Sequence, residues 1–247
     1  MSAEFAAILL LSLLSVVTTA LGVMLALVIR GNARAVAAGI GFSTGIMVLI
    51  SAVELVPEAH GSLGTAGTAA AVALGAACLW LANLLIPHAH LVREHGQADT
   101  RLVKSVYLIV FGLILHDVPE GFAMANAYLA SPSLGLLVGL AIALHNLPEE
   151  FAMALPAMTL RSRRFLVTAA CLSALAEPLG AVIGIVAVAL QPALGACFMA
   201  FAAGAMLFVS MHELVPMARR YRRPGWFVAG VAASLIVYRT LALLITT

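Results

Sequence analysis

Long apolar runs fill the chain almost from end to end, and polar residues fall mostly in the short stretches between them. Each run is near or above the roughly 20 residues that a helix needs to cross a bilayer. The pattern predicts eight membrane-spanning helices, at about residues 5–29, 35–57, 66–87, 105–130, 133–159, 164–190, 193–217 and 224–246. Because the connections leave no room for a soluble domain, we expect residues 1–247 to form a single all-α, polytopic membrane domain.

Composition agrees with this prediction. Of the 247 residues, 63% are hydrophobic and 10% are charged, and the mean hydropathy is +1.10, which excludes an ordinary soluble domain. Twelve of the thirteen basic residues lie in the first, third, fifth and seventh connections, and Arg239 is the exception. Basic connections face the cytoplasm, so we expect both termini outside. The net charge of +2 reflects this bias and does not indicate nucleic-acid binding.

Two ten-residue stretches of the chain are near copies of each other. His116–Ala125 reads HDVPEGFAMA and His145–Ala154 reads HNLPEEFAMA, with seven of ten positions identical. Each copy places a histidine four residues before a glutamate, and residues four apart share one helix face, about 6 Å apart along the axis. Because carboxylates inside a membrane need a partner, two facing copies predict a divalent-cation site with two imidazoles and two carboxylates.

The donor types narrow the choice of ion. The four ligands would be the histidines and glutamates of the two copies: His116, Glu120, His145 and Glu149. Neutral imidazole with carboxylate suits Zn²⁺, Fe²⁺, Mn²⁺ or Co²⁺, and no cysteine joins the motifs to favour Cu⁺. A single histidine within a helix is more often a packing residue, but its repetition together with glutamate and proline favours a functional role.

Further polar residues accompany the two copies. Asp117 and Asn146 follow the histidines, about 100° around each helix, where they can serve an adjacent second position. Glu177, one turn after Ser173 in the sixth run, again combines a mid-membrane carboxylate with a following proline. Glu150 takes the position of a glycine in the first copy. It either lines the path of the ion or pairs with another residue, and the sequence leaves both interpretations open.

A second repeat lies nearer the ends of the chain. Phe42–Ala59 and Phe201–Ala218 are identical at nine of eighteen positions. They fall on the second and seventh predicted spans, which five crossings separate, so the copies must run in opposite directions. The His-Pro-Glu copies on the fourth and fifth spans are antiparallel too. The sequence therefore predicts an inverted repeat, spans 1–3 against 6–8 and span 4 against span 5, which is typical of transporters with a site near the midplane.

The repeat also places polar residues by depth. Glu54 is expected near the outer face, and His212 and Glu213 near the inner face, with the central pairs between them. Such a layout suits a cation path, with Glu150 and Ser173 as further candidate lining residues. The alternative is that Glu54 and Glu213 are only interfacial residues near helix ends, although their repetition favours the path.

These features resemble the ZIP (Zrt/Irt-like protein) family of divalent metal transporters along almost the whole chain. That family commonly carries H-N-x-P-E-G on the fourth span and a related motif on the fifth, where this chain has HDVPEG and HNLPEE. AEPLG on the sixth span resembles the family's Glu-Pro there. A histidine-rich connection between the third and fourth spans also agrees, with His88, His90 and His95.

The resemblance implies a binuclear metal centre with two shared, bridging glutamates. The first metal would be bound by His116, Glu120, His145 and Glu149. The second would be bound by Asp117, Glu120, Asn146, Glu149 and Glu177. The resemblance also implies uptake toward the cytoplasm by movement of spans 1, 4, 5 and 6 against spans 2, 3, 7 and 8.

Two positions depart from the family pattern. Asp117 replaces the usual asparagine of the first motif, and Glu150 replaces the usual glycine of the second. As a hypothesis, the carboxylate of Asp117 shifts selectivity toward harder ions such as Mn²⁺ or Fe²⁺. A competition assay on Asp117→Asn tests it, since an unchanged ranking of metals would refute it.

Two other classes of function compete with metal transport. An intramembrane metal-dependent hydrolase or protease is disfavoured because His212-Glu213 lacks the second histidine of H-E-x-x-H. The G-x-S-x-G match at Gly41–Gly45 lies inside a helical run rather than at a strand-to-helix turn. A carboxylate-based proton or sodium antiporter would not need paired histidines.

We therefore expect a multi-pass plasma-membrane importer of zinc and related divalent metals, and not an enzyme. The metal would be the transported substrate and not a cofactor. Divalent ions and the lipid bilayer are its expected partners, a homodimer is a candidate assembly, and nucleic acid is not expected.

Overall fold

The structure is a computed structural model that describes residues 2–29, 32–85 and 100–246. Within these ranges the backbone forms helices and no strand. The helices are α1 (Ser2–Ile29), α2 (Ala33–Leu49), α3 (Val56–Leu85), α4 (Thr100–Ala130), α5 (Pro132–Thr159), α6 (Arg163–Leu190), α7 (Leu194–Val209), α8 (Val215–Arg220) and α9 (Pro224–Thr246). A π-helical turn, Ile50–Leu55, joins α2 to α3, and a second, Ser210–Leu214, joins α7 to α8. The all-α prediction is confirmed for this part of the chain.

Most of these helices are long and apolar enough to cross a membrane. Among the residues described, six stretches qualify by length and composition: Ala3–Ile29, Ala33–Leu84, Pro132–Thr159, Arg163–Leu190, Leu194–Arg220 and Pro224–Ile245. The 31 residues of α4 extend about 46 Å at 1.5 Å per residue, more than the roughly 30 Å of the hydrocarbon core. A multi-pass membrane protein is therefore confirmed, whereas eight separate spans stay a prediction.

The second and third predicted spans are continuous in helical structure except at one residue. Gly64 has φ +65° and ψ 178° inside α3, a conformation that glycine adopts without steric cost. It falls in the connection predicted between those two spans. His88, His90 and His95, in the next predicted connection, lie outside the described residues.

The two copies of the His-Pro-Glu motif lie on helices that fold back on each other. Only Ser131, in extended conformation, separates α4 from α5, and a side chain at Gly135 would overlap Tyr128. The helices are therefore antiparallel neighbours, and residues at similar distances from Ser131 lie opposite each other. Such a hairpin brings the two motif copies to the same depth.

Glycines set how closely the other helices approach. A Cβ atom at Gly121 would overlap the carbonyl oxygen of Glu177, and one at Gly180 would overlap that of Val118, so α4 and α6 cross backbone against backbone. Small residues at helix crossings are the usual way to obtain close contact inside a membrane, where van der Waals packing replaces the hydrophobic effect. This crossing lies next to Glu120 and Glu177, two of the predicted ligands.

Residues 159 positions apart make equivalent contacts. An added Cβ atom at Gly45 would meet Val231, and one at Gly204 would meet Val72. Gly204 lies 159 positions after Gly45, and Val231 lies 159 positions after Val72. The π-helical turns also correspond, because Val56 and Val215 donate to the carbonyls of Ser51 and Ser210, five residues back. Each turn precedes a proline that cannot donate a helical hydrogen bond. Both copies of the sequence repeat therefore contain a π-helical turn before the proline, while the inverted repeat of the whole chain stays a prediction.

Packing divides the helices into two groups. α1, α4, α5 and α6 contact one another, whereas α2 packs mainly on α9, and α3 packs mainly on α7. The groups meet where α5 contacts α2 and α4 contacts α7. α4 and α5, which carry the predicted ligands, therefore lie where the two groups join.

Candidate metal centre

Four side chains from α4 and α5 form a buried cluster. His116 Nε2 lies 2.7 Å from Glu149 Oε1 on the other helix and 3.5 Å from Glu120 Oε1 on its own. His145 Nε2 lies 3.0 Å from Glu120 Oε1 and 3.7 Å from Glu149 Oε2. Each imidazole therefore stands between the two carboxylates. We call these four residues the central cluster.

Helix geometry explains why the four side chains converge. In each helix the histidine and glutamate are one turn apart on one face, and the antiparallel hairpin turns those faces toward each other. His116, Glu120 and His145 are 0% exposed, and Glu149 is 4% exposed. A carboxylate buried this deeply is costly unless a partner compensates its charge.

Several ligand atoms of the central cluster lack a hydrogen-bond partner among the described residues. They include both ring nitrogens of His116, Oε2 of Glu120 and both carboxylate oxygens of Glu149. His116 Nε2 and Glu149 Oε1, 2.7 Å apart, can pair as ions when the imidazole is protonated. Buried polar atoms are nearly always satisfied, so a bound cation is the natural partner of these nitrogen and oxygen donors.

The second ring nitrogen of His145 is anchored by the backbone. Nδ1 lies 3.1 Å from the carbonyl oxygen of Ala141, which orients the ring and leaves Nε2 facing the two carboxylates. Ser43 on α2 donates to the carbonyl oxygen of His145 at 2.8 Å. Contacts of this kind hold ligating histidines in place in metal sites. Sequence reasoning did not identify Ser43.

Glu120 belongs to two potential ligand groups. His116, Asp117 and Glu120 bring one ligand atom each within 4.8 Å of one another, and so do Glu120, His145 and Glu149. Glu120 is thus the residue that the two ligand groups share. This arrangement is compatible with the two-metal set that the family resemblance implies.

Helix α6 adds two polar contacts, one turn apart. Asn146 Nδ2 donates to Glu177 Oε2 at 3.0 Å, and Ser173 Oγ donates to Asp117 Oδ2 at 2.6 Å. The structure thus brings Asp117 and Asn146, which occupy equivalent positions of the two copies, to different residues of α6. Ser173 also contacts Glu150, so Glu150 pairs with a residue of α6, one of the two interpretations left open by the sequence.

The predicted path residues lie in different surroundings. Glu54, on the first π-helical turn, accepts a hydrogen bond from Tyr238. Glu213, on the second, lies 3.5 Å from Asn83 Nδ2 and packs against Gly112, one turn before His116 on α4. His212 is exposed, and its ring stacks on Phe208 with 4.7 Å between ring centroids.

Two further partners, besides Ser43, were missed by sequence reasoning. Tyr238 is a single tyrosine in an apolar run, and nothing in its neighbourhood points to Glu54, 184 residues away. Thr19, whose Oγ1 lies 3.5 Å from Glu150 Oε1, had a detectable signal. Ser12, Ser15, Thr19 and Gly22 recur at helical spacing in the first run, and the first three are buried.

Comparison with known proteins also indicates a metal transporter. A family model described as ZIP zinc transporter matches residues 86–240, more than half of the chain. The chain is 34% identical over 250 residues to the zinc transporter ZupT of Chlorobium phaeovibrioides, covering 93% of this chain and 94% of that protein. It is 34% identical over 251 residues to ZupT of Corynebacterium glutamicum, covering 92% and 94%. Zinc transporter GufA of Myxococcus xanthus is 40% identical over 178 residues, 70% of each chain.

Proposed function

Because the chain belongs to the ZIP family of zinc transporters, we propose that it imports Zn²⁺ and related divalent cations through the central cluster. The chain is a membrane transporter of divalent metal and not an enzyme, and zinc is its substrate and not a cofactor. The observation that carries the proposed route is the set of unpaired nitrogen and oxygen atoms buried between α4 and α5. Such a set can replace the hydration shell of a transition-metal ion.

The ion would be held first by His116, Glu120, His145 and Glu149. The adjacent second position would use Asp117, Asn146 and Glu177 together with the two shared glutamates. The two overlapping ligand groups around Glu120 support this assignment. A shell of imidazoles and carboxylates is also reversible, because protonation of the ligands weakens metal binding and offers a route to release.

The path would lead from Glu54 on the outer side to Glu213 and His212 on the inner side. Support comes from the position of Glu213 against Gly112, one turn from the central cluster. The exposed position of His212 suits a residue at the end of the path rather than within it. Ser173 and Glu150 would contribute to the wall of the central cavity.

The proposed topology has eight spans in an inverted repeat, with both termini outside the cytoplasm of a plasma-membrane protein. The equivalent contacts of Gly45 and Gly204 support the repeat, and the concentration of basic residues in alternate connections supports the orientation. The division of the helices into two packed groups supports movement of one group against the other. One membrane domain would hold the whole path, and the homodimer stays a prediction.

Uptake of radiolabelled zinc into proteoliposomes tests the proposal. His116→Ala and His145→Ala should each reduce the initial rate by roughly 100-fold, the upper range for lost metal contacts. His60→Ala is the matched control, because this histidine is exposed and contacts only Thr65 among the described residues. Wild-type zinc uptake in both central variants would disprove the route. Proton flux without any metal dependence would instead indicate the antiporter considered above.

A further inference from the structure

The two motif copies differ at only three of ten positions, and two of those differences involve polar residues. Asp117 in the first copy corresponds to Asn146 in the second, and Gly121 corresponds to Glu150. Gly121 cannot carry a side chain because α6 passes against it at Glu177. Glu150 therefore occupies a position for which only the second copy has space.

The two acidic residues that break the repeat are joined by one hydroxyl group. Ser173 Oγ lies 2.6 Å from Asp117 Oδ2 and also contacts Oε1 of Glu150. Because the hydroxyl has one hydrogen, the carboxyl group of Glu150 must donate to Ser173 Oγ when Ser173 donates to Asp117. The three residues come from α4, α5 and α6, and each is at most 7% exposed. The contact between the two carboxylates and the serine is thus screened from solvent and from lipid.

Helix α1 holds Glu150 from the other side. A Cβ atom at Gly22 would lie 2.7 Å from Glu150 Cβ, so the backbone of α1 passes directly over this residue. Thr19, one turn earlier, places Oγ1 3.5 Å from Glu150 Oε1. The side chain of Glu150 is therefore confined between α1 and Ser173, with little freedom to turn elsewhere.

The other oxygen of Asp117 faces the central cluster. Oδ1 lies 3.5 Å from His116 Nε2, and the carboxylate belongs to the ligand group that includes Glu120. While Oδ2 is bound by Ser173, Oδ1 stays directed at the cation position. A further carboxylate oxygen in a mixed imidazole and carboxylate shell favours harder cations such as Mn²⁺ over Zn²⁺.

We propose that Glu150 is a positioning residue that acts through Ser173 to hold Asp117 toward the central cluster and so sets the preference among divalent cations. The proposal rests on the proposed function, because it concerns the same site. Glu150 itself does not contact the ion. Its effect requires both Ser173 and the carboxylate of Asp117.

The alternative is that Glu150 affects transport independently of Asp117, through its charge or through packing against α1. The two mechanisms differ in a double-mutant cycle, since residues that act through one contact give non-additive effects. If Glu150 acts through Asp117, removing its side chain has little effect once Asp117 is already an asparagine.

The experiment measures initial rates of Mn²⁺ and Zn²⁺ uptake into proteoliposomes, with the KM for each metal. Glu150→Ala, Ser173→Ala and Asp117→Asn should each lower the ratio of Mn²⁺ to Zn²⁺ uptake by about three- to tenfold, the effect of losing one typical hydrogen bond. The shift should appear mainly in the KM for Mn²⁺. The double variant Glu150→Ala/Asp117→Asn should match Asp117→Asn alone.

Two further variants separate positioning from packing. Glu150→Gln should lower the ratio of Mn²⁺ to Zn²⁺ uptake less than Glu150→Ala does, because its amide can donate to Ser173 and leave the serine hydrogen for Asp117. Ser234→Ala is the control for Ser173→Ala, since Ser234 is also buried and, among the described residues, donates to Val231 on its own helix.

Three outcomes would overturn the proposal: an unchanged metal ratio in Glu150→Ala, an unchanged ratio in Ser173→Ala, or additive effects in the double variant. If Glu150→Ala does not fold, the ratios of Mn²⁺ to Zn²⁺ uptake in Ser173→Ala and Glu150→Gln still test the proposal. All these outcomes leave zinc uptake by the wild type intact, so they are distinguishable from failure of the proposed function, in which His116→Ala and His145→Ala would transport normally.

Discussion

Glutamates occur both in the central cluster and at two flanking positions, Glu54 and Glu213, but their surroundings differ. Each flanking carboxylate lies on a π-helical turn and faces a neutral donor from a neighbouring helix, Tyr238 or Asn83. The carboxylates of the central cluster face imidazoles, and most of their oxygens lack a hydrogen-bond donor in the described part of the chain. A neutral donor can hold a carboxylate without any ion, whereas in the proposed function a divalent cation would complete the central donor set.

The two flanking sites also differ from each other, although they occupy equivalent positions of the repeat. Glu54 is joined to Tyr238, which is 3% exposed. Glu213 has only a long contact with Asn83, and its carboxylate packs at Gly112 on the helix that carries His116. Equivalence in sequence therefore does not extend to equivalence in partners, and the inner of the two proposed path residues is the one coupled to α4.

The largest expected effect comes from removing the carboxylate shared by both ligand groups. Glu120→Ala should abolish zinc uptake, at least 100-fold, because an ion at either position loses a ligand and two buried histidines lose their partner. Radiometal uptake at equal protein density measures it. Glu58→Ala, at an exposed position, is the matched control. A similar loss of zinc uptake in both variants would contradict a special role for the central cluster.

A smaller loss is expected from widening the crossing of α4 and α6. Gly121→Ala places a methyl group against the carbonyl of Glu177, and overpacking of this kind costs about 1–3 kcal/mol. We expect a lower midpoint of thermal unfolding in detergent and slower uptake. Gly61→Ala, where an added Cβ meets nothing within 4 Å, should unfold like wild type. Equal midpoints for the two variants would contradict the close crossing.

The flanking carboxylates should differ in their contribution to transport. Glu213→Gln is expected to slow zinc uptake about tenfold, because Glu213 lies one turn from the central cluster, whereas Glu54→Gln should slow it only about threefold. Parallel measurements of initial rate against zinc concentration would show the ranking. The reverse order would mean that the position of Glu213 beside α4 has no role in transport.

The smallest effect is expected from Tyr238→Phe. The substitution keeps the aromatic ring and removes only the hydroxyl that donates to Glu54, at a cost of about 0.5–1.5 kcal/mol. The unfolding midpoint should fall by a few degrees while the rate of uptake stays close to wild type. A rate as low as that of Glu120→Ala would show that Tyr238 belongs to the transport machinery and not only to the packing of Glu54.

Much of the helical framework follows from local sequence. Apolar runs of membrane length predicted the positions of α1, α5, α6 and α9 within a few residues, because hydrophobic length and helix geometry are properties of a continuous segment. Within α4 and within α5, the placement of the histidine and the glutamate on one face could also be predicted from local sequence, since residues four apart share a helix face in any helix.

The π-helical turns were only partly visible in the sequence. Both copies of the repeat contain a proline, Pro57 or Pro216, but a proline by itself is compatible with a kink, a break or a wider turn. The structure shows a wider turn in both, closed by hydrogen bonds to Ser51 and Ser210.

Residue types and their local spacing were enough to predict most of the helices and the four side chains that the structure brings together in the central cluster, since these depend on one segment at a time. The partners across helices required the tertiary structure: His116 with Glu149, Asp117 with Ser173, and Glu54 with a tyrosine far along the chain. Such contacts depend on the distance between separate helices, which is set at their crossings by backbone contacts at glycines such as Gly121. No periodic pattern within a single segment records that distance.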